Sequence, residues 1–350
     1  MSALTARSRL LVAPVCLTLS FLYFSLTAPG FGTTGNAANL LGQAAPLAIV
    51  ACGQMVVIVA GGFDISVGSV AALACVLSAL GINALGPVGL LAGPLTGLAC
   101  GMVNGALVGR LAVQPVIATL GMLTAARGLA LMASHDSAVV LDRANPLSGL
   151  GYGEIAGIPS PAFLALGVCL VLWALTRTLR VGRRVYAIGS NIDGARLVGV
   201  PVASTTFAAY ALSGLTAGIA ALVLVGRAGA GVPTEGNGLE LMAIAAAVIG
   251  GSALGGGSGH PAVVVVGAVF VQSLSSGFDL AGTSPFVREV VLGVVIVLAG
   301  LVEWALRVRA ERRLLRARLE DRPPSPPVTA PGPPPTLQYS HTGSPQEEEE

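Results

Sequence analysis

Three long stretches of this 350-residue chain carry no charged side chain: from Arg9 to Asp64, from Asp64 to Arg110, and from Glu240 to Asp279. A helix that crosses a bilayer needs about 20 consecutive apolar residues, so each stretch has room for two crossings or for one crossing and a hairpin. Hydrophobic residues make up 54% of the sequence and charged ones 10%, more apolar side chain than one water-soluble core of this length can hide. The solvent for most of the chain is therefore lipid. In lipid every backbone polar group must be satisfied within the protein, which leaves helices or a closed barrel. Barrel strands alternate polar and apolar residues. These runs do not, and the chain reads as an all-α polytopic membrane protein.

Apolar windows of spanning length fall near residues 8–28, 40–60, 66–82, 87–109, 114–133, 161–179, 205–226, 239–257, 261–278 and 287–306. Gly and Pro punctuate the breaks, as in NALGP at 83–87 and GIPSP at 157–161. An even count of ten predicted crossings puts both termini on one side. Arginine decides which, because short cytoplasmic loops carry the excess of basic residues and the chain has no lysine. With the N-terminus inside, 15 arginines are cytoplasmic: Arg7, Arg9, Arg110, Arg177, Arg180, Arg183, Arg184, Arg196 and the seven from Arg307 to Arg322. Only Arg143, Arg227 and Arg288 fall outside, and Arg127 lies within the fifth helix. Hydropathy and arginine distribution are independent properties of the chain, and the asymmetry supports an N-in, C-in arrangement.

Residues 1–306 thus form a transmembrane domain with an external loop near 134–160 and an internal loop near 180–204. Two arginines precede the first apolar run without a small-residue cleavage pattern after it, so an uncleaved first helix is expected. The basic segment 307–322 is predicted to anchor the last helix at an anionic inner leaflet. Residues 323–350 are Pro-rich and end in four glutamates; such a tract cannot bury a core and is expected to be disordered.

The five cysteines, Cys16, Cys52, Cys75, Cys100 and Cys169, lie in apolar runs without the pairing of a disulfide or metal framework, and read as small core residues. The glycine-rich run at 250–259 lacks the Gly-Lys-Ser/Thr that a phosphate loop needs. With no lysine the chain cannot carry a standard Walker ATPase. His135, His260 and His341 are spread over two loops and the tail. No metal, cofactor, catalytic centre or nucleic-acid partner is implied.

Some polar residues stand out against this apolar background. Asp64 and Ser66 immediately precede an apolar helix, where their oxygens can cap its first turn; the other reading is a polar element at the inner mouth of a passage. Arg127, about six residues from the outer end of its helix, can snorkel to the surface or join a structural ion pair, or else line a path for a hydroxylated solute. Asn104, Thr119 and Gln272 are weaker path candidates, since lone amides and hydroxyls also bond between helices. In the internal loop, Asn191 or Asp193 can cap a short helix that continues through Gly194, Ala195 and Arg196 to Val198 and stops at Gly199. An ordinary positive-inside loop is the plainer reading of that segment.

Six stretches in order resemble the permease family of ribose-type ABC importers, whose members take up ribose, xylose, galactose, related sugars and signalling furanosides. They are GGFDISVGSVAAL (61–73), QPVIATLGMLTAARGLALM (114–132), GRRVYAIGSNIDGARLVGVPV (182–202), YALSGLTAGIAALVLVGR (210–227), ELMAIAAAVIGGSALGGGSG (240–259) and SPFVREVVLGVVIVLAGLVE (284–303). The resemblance covers about 40–303 and implies a type II-like importer permease in the inner membrane. It further implies a homodimer or pseudo-dimer, a cytoplasmic ABC ATPase subunit that supplies energy, and an external solute-binding protein that delivers a sugar or similar small polar solute. In that family the internal loop holds the coupling helix, which assigns Asn191, Asp193, Gly194, Ala195, Arg196 and Gly199 to ATPase docking. The Pro-rich tail is a departure from the family.

Two other classes compete with this reading. A secondary, ion-coupled transporter is expected to place acidic residues centrally and break helices at the midplane. The sequence offers only Asp64, near a helix end. A membrane enzyme needs clustered His, Asp or Cys near one interface, and the sequence offers no such cluster.

Overall fold

The computed structural model describes residues 3–141 and 146–320. Its helices are α1 (Ala3–Thr27), α2 (Thr34–Val59), α3 (Val67–Leu85), α4 (Ala92–Gly109), α5 (Pro115–Ser134), α6 (Ser148–Tyr152), α7 (Ser160–Thr178), α8 (Arg180–Ser190), α9 (Ile192–Leu197), α10 (Val202–Ala228), α11 (Leu239–Ile249), α12 (Pro261–Leu280) and α13 (Pro285–Glu320). Strands are confined to two-residue ribbons: β1 (Val139–Val140) pairs with β4 (Ala230–Gly231), and β2 (Glu154–Ile155) with β3 (Ile158–Pro159). Six helical stretches among the described residues are long and apolar enough to cross a membrane, one of them the 67–109 hairpin of α3 and α4. Pro115 and Pro261 open α5 and α12, where a missing N–H leaves no intrahelical bond unmade.

The predicted windows correspond to helices, with three differences. A 3₁₀ turn, Gly86–Leu91, replaces the start of the 87–109 window, and α4 begins only at Ala92. The last helix runs on to Glu320 and takes up most of the basic segment, whereas 321–350, including His341 and the Pro-rich tail, lies outside the described residues. Arg143 also lies outside them. The third difference is the largest: the window 239–257 holds a helix of 11 residues, α11, about 16 Å long at 1.5 Å per residue against a hydrocarbon core of about 30 Å. It ends early because Gly251 takes a left-handed conformation (φ 82°). The N–H groups of Gly251 and Ser252 then close back on Val248 and Ala247, a glycine stop of the Schellman kind. The glycine-rich loop beyond tucks beneath α2, where Gly257 N–H donates to the Val59 carbonyl at 2.9 Å.

α2 is the central post, buried along nearly its whole length from Leu40 to Val59. Antiparallel to it runs α12, registered by Gln43 against Gln272 and Asn36 against Ser276. α4 and α10 are also antiparallel, and their contact is the most extensive between any two helices among the described residues. Gly93, Gly97, Gly101, Gly105 and Gly109, one per turn of α4, each lie against α10 backbone. In lipid, where burying apolar area drives no helix association, such small-residue seams let dispersion contacts hold helices together. Cys52, Cys75 and Cys169 are buried, Cys16 and Cys100 half-buried, and all five are free thiols.

A candidate anchoring cluster and a projecting helix pair

Between α2 and α3 the chain turns at Gly61 (φ 89°) and runs extended back along α2. This carries Asp64 to the level of Ser213, the middle of α10, and not to a helix mouth. Its Oδ2 accepts from Ser213 Oγ at 3.0 Å, and its Oδ1 from Ser66 Oγ at 2.6 Å and Ser66 N–H at 3.1 Å. Asn104 Nδ2 donates to Ser66 Oγ at 2.9 Å and reaches Asp64 Oδ1 at 3.5 Å. Gln54, its amide nitrogen turned towards the Asp64 carbonyl, pairs with that backbone at 3.1 and 3.2 Å. Tyr210 Oη donates to the Phe63 carbonyl at 3.1 Å.

All of these side chains are at most 1% exposed. A buried polar group is tolerable only when it is hydrogen-bonded. Here α2, α4 and α10 each supply a donor or amide to one short re-entrant strand. The expected helix cap does not form: Asp64 bonds the N–H of Ser66, and Ser66, at the N-cap position, makes no side-chain bond to the first turn of α3. Gln54, Ser213 and Tyr210 were not singled out in the sequence. Their signal is a lone polar side chain in an otherwise apolar run, which becomes specific only when the helices pack. Asn104 Oδ1 remains buried without a partner among the described residues.

The other path candidates lie elsewhere. Arg127 does not snorkel outward. Its Nη1 donates to the carbonyls of Pro233 at 2.7 Å and Glu235 at 3.4 Å, pinning the run of turns that leads from β4 to α11. Glu240, on the first turn of α11, lies within electrostatic reach of that guanidinium and packs against Gly68 at the start of α3. Glu235 and Glu240 escaped the sequence reading because each sits at a helix boundary, where a charge looks ordinary. Thr119 back-bonds to the Pro115 carbonyl within its own helix at 2.9 Å. Gln272 joins a line of amides that runs out to the surface: half-buried Gln272 donates to Oε1 of half-buried Gln43 at 2.9 Å, and Gln43 donates to Oδ1 of the exposed Asn39 at 3.2 Å.

Asp64, Ser66 and Asn104 are therefore brought together, while Thr119, Arg127 and Gln272 stand apart.

At the end of the bundle that holds Val59, the polar loop folds into two helices. α8 was not foreseen. Val185, Ile188 and Gly182 face inward while Arg180 and Arg183 face solvent, and Tyr186 Oη donates to the Gly259 carbonyl at 2.7 Å. α9 has the limits its capping residues predict: Asn191 Oδ1 accepts from Gly194 N–H at 2.9 Å. At its other end Gly199 (φ 77°) and Val200 close back on Arg196 and Ala195. Ala195 is buried, Asp193 and Arg196 form an exposed pair at 3.3 Å, and Leu197 and Val198 project at 88% and 79% exposure. The capped turn thus presents two apolar side chains to water.

Comparison with known proteins adds to this geometry. Residues 36–300 match the family described as branched-chain amino acid transport system / permease component. The ribose import permease RbsC of Escherichia coli K12 is 36% identical over 294 residues, which is 83% of this chain and 92% of RbsC. The galactofuranose transporter permease YtfT of the same strain is 36% identical over 83% of this chain and 88% of its own length. The L-arabinose transport system permease AraH is 35% identical over 85% and 91%. No solved structure matches the chain.

Proposed function

We propose that this chain, which belongs to the branched-chain amino acid transport system / permease component family and is the membrane-spanning subunit of an ABC importer, carries a sugar across the inner membrane. The observation that carries the sugar reading is the near full-length similarity to permeases named for ribose, galactofuranose and arabinose. As a permease it does no chemistry of its own; a separate ATPase subunit and a solute-binding protein complete the system. The family description favours a second cargo class, branched-chain amino acids.

In this reading the chain makes ten passages with both termini inside, one of them the turns of 232–238 continued by α11. The arginine asymmetry supports that topology. Two permease copies, identical or homologous, enclose the passage. Its outer part is lined by the exposed amide of Asn39 and the half-buried amides of Gln43 and Gln272, which suit the hydroxyls of a sugar better than an aliphatic side chain. α9 is the coupling element: Leu197 and Val198 seat in the ATPase, and the Asn191 and Gly199 caps keep the knob rigid enough to transmit movement. The Asp64 cluster holds the re-entrant strand and does not touch solute.

The test is uptake by proteoliposomes that contain the permease, its ATPase and its binding protein, with ATP inside and the proton gradient dissipated. ATP-dependent uptake of a labelled pentose or hexose, unaffected by leucine, is expected. Leucine uptake, or sugar uptake driven by the gradient alone, overturns the reading.

A further inference from the structure

Two cavities follow one another along α7 and together form a groove, the upper one between α7 and α12 with α2 as its floor and the lower one between the end of α7, α8 and the start of α12. Along α7 its wall is one stripe, Ala162, Leu166, Cys169, Trp173 and Arg177, at the three- and four-residue spacing of a single helix face. From 162 to 177 this spans about 22 Å. The upper part is an apolar cavity of about 190 Å³, walled on the other side by Val265 and Val269 and floored by the small side chains Ala44, Ala45 and Ala48. The lower part, about 310 Å³, is of different chemistry: Trp173, Arg177, Tyr186 and His260 line it.

In that lower part the Arg177 guanidinium stands 5.9 Å from the Trp173 ring centre. Arg183, outside the pocket on the exposed face of α8, folds back to donate to the Thr178 carbonyl at 2.9 Å. The ion pairs among the described residues are Arg196 with Asp193 and Arg288 with Asp279, so neither Arg177 nor Arg183 is neutralised by a carboxylate there. The Nδ1 of His260 is buried and has no hydrogen-bond partner, an uncommon state for a polar atom.

We infer that this groove is a binding site for an anionic phospholipid of the inner leaflet, its phosphate held by Arg177 and His260 and one acyl chain lying along α7 and α12. The chemistry of the two halves carries the assignment. A cationic and aromatic pocket at the end of a spanning helix sits at headgroup depth, and the whole stripe from Arg177 up to Ala162, about 22 Å at 1.5 Å per residue, reaches past the roughly 15 Å that one leaflet contributes to the hydrocarbon core. A neutral-headed lipid leaves the Arg177 charge uncompensated. The choice of the inner leaflet rests on the proposed orientation with both termini inside.

Trp173 is one of two tryptophans in the chain, so the site can report on itself. In Trp304→Phe, reconstituted as the full chain, Trp173 fluorescence is followed against increasing fractions of chain-brominated phosphatidylglycerol or phosphatidylcholine. Half-maximal quenching is expected at an about fivefold lower fraction of phosphatidylglycerol, and Arg177→Gln is expected to merge the two curves. Coincident curves with Arg177 intact overturn the inference, and that comparison needs no second variant. Relief of quenching by millimolar inorganic phosphate overturns it in favour of a soluble anion. Absence of quenching by either lipid overturns it in favour of a second copy of the chain covering the groove.

Discussion

Gly97 of α4 and Gly214 of α10 oppose each other so closely that a Cβ on either one meets the carbonyl oxygen of the other. The neighbours in that seam are backbone, which cannot swing aside like a flexible side chain. Replacing Gly97 by Leu is therefore expected to push the helices apart at a cost of about 1–3 kcal/mol or more. Gly121→Leu, at a site with nothing within 4 Å, is expected to be neutral. Thermal unfolding in detergent reads both; equal midpoints contradict the close approach.

The Asp64 cluster predicts a graded series. Ser213→Ala removes one donor and leaves Asp64 Oδ2 buried without it, a loss of about 1–3 kcal/mol. Asp64→Leu removes the acceptor for Ser66 and Ser213 together and is expected to be the most destabilising. Asp64→Asn, which keeps one acceptor oxygen, falls between them. The order of the three unfolding midpoints is the check, and a stable Asp64→Leu variant rules out an anchoring role.

Arg127 has a different task, holding the Pro233 and Glu235 carbonyls while Glu240 lies nearby. In Arg127→Met those carbonyls lose their donor and the Glu240 carboxylate its nearest positive charge, so the 232–238 segment is expected to open more often. Hydrogen exchange is the direct measurement. Faster exchange confined to 232–242, with α2 and α10 unchanged, is the expected pattern.

The proposed topology places Ser148 on α6 and Ser190 at the end of α8 on opposite faces of the membrane. Both are exposed. Single cysteines there, with the five native thiols removed, are expected to label with an impermeant reagent from outside at 148 and from inside at 190. Labelling of both from one face refutes the ten-passage arrangement.

Coupling through α9 is tested at its tip and at its caps. Leu197→Asp is expected to weaken capture of the ATPase subunit without changing permease stability, because the side chain touches only solvent in the free chain. Gly199→Val forces a branched side chain into a left-handed conformation and is expected to fray α9 and lower the uptake obtained per ATP hydrolysed. Arg196→Glu replaces an exposed pair worth at most about 1 kcal/mol, so any loss of docking it causes reports on the partner. Normal docking and uptake in all three remove the coupling role.

The positions of the long helices were legible in the chain itself, because lipid imposes a one-dimensional rule: a spanning helix must be apolar over its length whatever surrounds it. The limits of α9 were legible for a similar reason, since Asn191 and Gly199 act on backbone groups three or four residues away. What the sequence alone left open depends on partners distant in the chain. Asp64 looked like a cap at a helix mouth, and only the packing of α10 against α2 brings Ser213 to it, 149 residues further on. Arg127 had two directions open to its long side chain, and the descent of the 232–238 segment supplied the carbonyls that turned it inward. The early end of α11 stood between the two cases. Its glycines were visible, but hydropathy averaged over a window registers their apolar neighbours and not the left-handed turn at Gly251, a conformation that the loop completes by docking on Val59.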